Sequence, residues 1–186
     1  MRLSNWAHEL AEAILCKNHS HHWEYTKLVV HRAEVLGPIL LPEDEADVLS
    51  AAAWLHRVGA AVELQETGFV PLDSARYIAS MTTFPRRVVA LVAHQSSAAT
   101  KAVERGLSAE MTCYADEETL TRDALWHCVT PVLPANLELA HRARQEASTE
   151  FLGKDHPIAL AHEEGQTRIR EASSRVMLAL ETSDHH

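Results

Sequence analysis

Thirteen of the 186 residues are histidines, and imidazole is the side chain that binds transition metals and moves protons near neutral pH. Two of them close apolar runs. In AAAWLHRVG (residues 51–59), His56 and Arg57 follow Ala51, Ala52 and Leu55 at helical spacing. In RRVVALVAHQ (residues 86–95), His94 and Gln95 follow an even more apolar stretch. A polar pair at the end of a buried helix faces either solvent or a pocket. His56 and His94 are therefore candidate acid–base groups. Tyr25 carries a phenol that can donate to a developing oxyanion. Arg57 can hold a carboxylate or phosphate in a two-pronged contact. The plainer reading of each is a satisfied core residue, with Arg57 paired to Asp123 or Glu63.

The elements that must position these groups all read as helices. Ser4 or Asn5 can cap a first helix with Trp6, Leu10, Ala13 and Ile14 on one face. A second spans about residues 21–36, with Val29, Val30, Ala33 and Leu36 inward, and Gly37-Pro38 should end it. A third starts at Asp44 and stops at a C-capping Gly59. Pro71 and Asp73 open a fourth, and Pro85 a fifth. A short sixth, residues 97–105, closes at Gly106, with Ser96 and Ser97 read as caps rather than nucleophiles. Asp116 caps a seventh through EETLTRDALWHCV. Two more run from Pro134 to Phe151 and over about residues 158–182, with Gly165 a weak point in the last. Its Arg168, Arg170 and Arg175 lie beside glutamates and read as a solvated face. Strand patterns and internal repeats are missing, so the expected fold is all-α. It forms one domain over residues 1–186, with a motif core at about 20–132 and C-terminal helices at about 135–182.

Composition narrows the function. A formal net charge of -9 disfavours nucleic acid as a partner. Cys16, Cys113 and Cys128 follow no metal spacing and read as core thiols of a cytoplasmic protein. Residues 2–17 are amphipathic, not a secretory signal, and no run reaches membrane-spanning length, so no membrane partner is expected. The apolar residues of the last helix suit packing on the core or on a second copy, so a homodimer is a further expectation.

Taken in order, HHWEYTKLVVHRA, AAAWLHRVG, TGFVPLDSARY, LVAHQSSA, RGL and RDALWHCVTP resemble the HD-domain superfamily, the metal-dependent phosphohydrolase fold, in its small stand-alone bacterial form. The resemblance implies an HD-type helical bundle. That family holds metal through histidines and aspartates at set positions, and here most of them are substituted. Tyr25 stands for the first histidine, Arg57 for the aspartate of the His-Asp pair, and Val70 for the next histidine. Gln95 replaces the second of a histidine pair, and Val129 the distal aspartate. Only His56 and His94 remain. Arg57 puts a fixed positive charge where a dication would sit, a repulsion of several kcal/mol at intermediate dielectric by order of magnitude. The site the resemblance implies is therefore metal-free and without a cofactor: a small-molecule pocket with His56, His94, Tyr25 and Arg57, further polar lining from Gln95, Tyr77 and His127, and Val70 and Val129 as apolar wall.

Three functions follow. The first is binding of a small anionic ligand, carboxylate- or phosphate-bearing, in the former active-site pocket, without phosphohydrolase activity. The second is a metal-independent enzyme using His56, His94 and Tyr25, with Arg57 for charge. The third is a hydrolase whose metal site is rebuilt from His22, His56 and His94, although His19, His21 and His22 read more simply as a solvated helix start.

Overall fold

The computed structural model describes residues 2–17, 20–130 and 153–183. Among these the chain is all-α, with no strand. The helices are α1 (Leu3–Leu15), α2 (Ser20–Leu40), α3 (Glu43–Leu55), α4 (Val70–Ala79), α5 (Arg86–Ala93), α6 (Ala98–Arg105), α7 (Ser108–Met111), α8 (Leu120–Val129) and α9 (Pro157–Ser183), with 3-10 turns at Val58–Ala60 and Val62–Leu64. The expected helix from Pro134 to Phe151 lies outside the described residues.

Helix α3 is the central element. Leu49, Ala51, Ala52, Ala53 and Leu55 are all buried on it. It packs against α1, α2, α5 and α8. Small alanines let those neighbours approach on several sides at once. The apolar α5 buries Val88, Val89, Leu91 and Val92 against α3 and α4. Helix α9 lies across α8, α6 and α2.

Several boundaries differ from the sequence reading, each for a local reason. In α1 the buried face is Ala7, Ala11 and Leu15, while Trp6 is largely exposed. Its cap is remote: Asp47 of α3 accepts from the backbone N–H of Leu3 at 2.8 Å and of Ser4 at 3.1 Å. Helix α2 does not stop at Gly37-Pro38 but runs through them to Leu40. Gly37 lies close against Ala46 at the start of α3, so this helix end is held by packing. Thr119, not Asp116, caps α8, accepting from the Arg122 N–H at 3.2 Å. Cys16 and Cys113 are exposed, and only Cys128 is buried.

Gly59 is not a helix C-cap. It sits within the 3-10 turn Val58–Ala60, where a Cβ would lie 2.3 Å from the Ser74 nitrogen. Only glycine lets the end of the α3 segment touch the α4 backbone there. Its N–H donates to Ser74 Oγ at 2.8 Å.

Candidate functional site

His56 and Arg57 leave α3 in different directions. His56 is completely buried, and its Nδ1 donates to the Ala53 carbonyl at 2.7 Å. That bond fixes the tautomer, so Nε2 is a bare acceptor, and it has no partner. Burial pushes the His56 pKa down to about 3, with the Ala53 bond opposing and Arg57 and His22 assisting. The imidazole is thus neutral over the physiological range. Its ring lies 5.8 Å from that of Tyr25.

Arg57 turns outward into a cleft of about 340 Å³. Its guanidinium lies over the Tyr25 ring at 5.1 Å, and its Nε donates to His22 Nδ1 at 3.2 Å. Burial lowers its pKa, with Tyr25 opposing, but a guanidinium stays charged in proteins. The Tyr25 hydroxyl donates to the Val129 carbonyl at 2.6 Å. Burial raises its pKa, against the lowering effect of Arg57 and Arg32. The phenol proton is therefore already engaged in tying α2 to α8.

Besides Tyr25 and Arg57, the cleft is lined by Phe69, Val70 and Pro71 at the start of α4, by the Gln95–Ala98 segment leading into α6, by Lys101 and Arg105 of α6, and by Gly68 and Val129. The loop before α4 is pinned from beneath. Buried Asp73 accepts from the N–H of Thr67 at 2.9 Å and from its Oγ1 at 2.7 Å, while Gly68 takes φ 68°. Gln95 works through the backbone: its amide donates to the carbonyls of His56 at 2.7 Å and Val92 at 3.0 Å, clamping α5 to the end of α3. Ser96 holds φ 45°, in the left-handed region that few non-glycine residues occupy. Ser97 stands at the N-cap position of α6, yet its side chain makes no capping hydrogen bond. The capping role expected of this serine pair is therefore not filled.

Five of the expected site residues thus line one cleft: Tyr25, Arg57, Val70, Gln95 and Val129. His56 lies behind it, beside Tyr25. His94 instead lines a separate void of about 10 Å³ with Arg87, Asp116 and Arg122. Its Nε2 donates to the Tyr114 carbonyl at 2.8 Å, and its Nδ1 has no partner. His127 is exposed on a separate groove with His31, Arg32 and Val35. Tyr77 packs against the core on α4 and is not among the cleft residues. Asp123 is no partner of Arg57, for it binds Arg122 and Arg175. Among the described residues, no three His, Cys, Asp or Glu side chains gather to hold a metal ion. His22 is engaged with Arg57, and His94 lines the other void, bonded to Tyr114. The groups present do not fit the divalent site that an HD-type fold would carry.

Lys101 and Arg105 escaped the sequence reading. The signal was there: Ser97, Lys101 and Arg105 fall at i, i+4 and i+8, one face of a short helix. Arg105 lies over the Phe69 ring at 5.4 Å and donates to the Gly68 carbonyl at 3.3 Å. Comparison with protein-family models, with curated proteins and with solved structures gave no match in any of the three.

Proposed function

We propose that this chain is a divergent HD-domain bundle that binds a small organic anion in the cleft between α2, α4 and α6, without metal-dependent phosphohydrolase activity. One observation carries the reading. Arg57, Lys101 and Arg105 share the cleft, and no Asp or Glu is among its described lining residues. None of the three is in an ion pair among the described residues. On a chain of formal net charge -9, with acids available nearly everywhere, such a set favours an anion from outside. Tyr25, Phe69, Val70, Pro71 and Val129 offer an apolar wall for its body. The orientation of His56 and His94, one sealed behind Tyr25 and one in another void, weighs against acid–base catalysis by that pair.

The test is calorimetry of the purified protein against benzoate and phenyl phosphate, with Arg57→Ala alongside. Binding by the native protein that weakens by about tenfold or more in the variant is the expected result. No heat with any organic anion would refute the reading.

A further inference from the structure

The charge count of the cleft says more about its ligand, granted that the anion-binding reading holds. Three cations face the space, and the remaining polar lining is neutral: Gln95, whose amide N–H groups serve backbone carbonyls, and the hydroxyls of Ser96, Ser97 and Tyr25. A ligand with a single negative charge would leave two of the three uncompensated.

The two arginines are also held in place rather than free. Arg57 lies over Tyr25 and Arg105 over Phe69, contacts that orient a guanidinium plane and reduce the entropy lost on binding. The cations approach from two sides, Arg57 from the end of α3 and Lys101 with Arg105 from α6. Between these sides, Ser97 and Ala98 begin α6, and Val70 and Pro71 begin α4. Neither helix has a side-chain cap at its N-terminus. The first N–H groups of a helix have no partner within it, and they carry partial positive charge. The start of α6 adds to the charge of the three side chains, whereas in α4 Pro71 has no N–H to offer and Asp73 lies in the first turn.

We infer that the cleft selects organic molecules bearing at least two negative charges over monoanions. The charged end sits between Arg57 and the Lys101–Arg105 face of α6, and the apolar body lies against Val70, Pro71 and Val129.

The experiment is isothermal titration of the full chain at low ionic strength and about pH 8, where a phosphate monoester carries close to two charges. The probes are phenyl phosphate, phenylsuccinate and benzoate, which share a ring and differ in head group. The expected result is that at least one of the two dianions binds about tenfold or more tighter than benzoate. Comparing phenyl phosphate with phenylsuccinate then tells phosphate from dicarboxylate. In the double variant Lys101→Ala, Arg105→Ala the preference should fall most of the way to parity. Both side chains are exposed on a helix, and alanine keeps that helix, as circular dichroism can verify. Equal binding of benzoate and the dianions would overturn the inference while leaving an anion site. A dianion preference unchanged in the double variant would overturn it too, since the recognition would then lie elsewhere. No binding by any probe would remove both the inference and the function beneath it.

Discussion

Burial fixes the protonation state of His56, and that has a consequence for acid stability. Its native pKa of about 3 lies below the value of about 6.5 expected in the unfolded chain. Between these values the unfolded state takes up a proton that the native state refuses. His56 therefore costs nothing above about pH 6.5 and destabilises increasingly as pH falls, by up to about 1.4 kcal/mol per pH unit. Urea titrations from neutral pH down to about pH 4 should show this slope, and His56→Gln should flatten it. An unchanged slope in the variant would assign acid sensitivity to the carboxylates instead. The same residue shows what sequence can and cannot say. Polar groups ending apolar helices were visible in the chain, and Arg57, Gln95, Tyr25, Val70 and Val129 do share a cleft. Which way His56 and His94 turn was not visible. The direction depends on the last helical turn: His94 leaves α5 with φ -97° and ψ 23°, and its ring is drawn to the Tyr114 carbonyl on a loop far along the chain.

At the scale of elements, α9 is joined to α8 by charge. Buried Arg122 contacts Asp123 at 3.1 Å and Asp116 at 3.2 Å, while Arg175 and Arg168 reach from α9 to the same two acids. The arginines that read as a solvated face are, in two of three cases, the fastening. Sequence could not reveal it, because the partners lie some fifty positions away and charged residues on a helix usually face water. Asp123→Ala should cost about 2 kcal/mol or more, since it takes the buried carboxylate from both Arg122 and Arg175 and leaves Arg122 with Asp116 and, at 3.7 Å, the exposed Glu118. Chemical denaturation measures it, and a loss below about 1 kcal/mol would mean that Asp116 and Glu118 suffice. Gly165, which looked like a weak point, is a contact: a Cβ there would lie 2.1 Å from Thr100 Oγ1, so a larger residue would force the Thr100 side chain off the Ala161 carbonyl it donates to. The helical class was legible throughout because the apolar spacing is regular. The run of α2 through Pro38 was not, since packing against α3 overrides a local break.

At the scale of the molecule, an acidic chain carries a cationic cleft. Long-range repulsion and local attraction then act on the same ligand, and salt screens them unequally. Arg57 is half-buried, while Lys101 and Arg105 are exposed. Raising ionic strength from about 0.01 M to about 0.15 M should therefore weaken phenyl phosphate binding without abolishing it. Calorimetry at the two concentrations checks this, and complete loss would mean that only the exposed pair contributes.

Trp126 connects these scales. Its indole N–H donates to the His94 carbonyl at 2.8 Å, and guanidinium groups lie over its ring from Arg122 at 4.6 Å and from Arg168 of α9 at 5.3 Å. Trp6, Trp23 and Trp54 sit on α1, α2 and α3, the last two with their rings 5.5 Å apart. Trp126 thus reports on the seat of α9. If α9 lifts from the bundle, one of the two guanidinium groups leaves the Trp126 ring while the environment of the other three indoles persists. In a chain with those three replaced by phenylalanine, the emission of the remaining indole would register that opening alone.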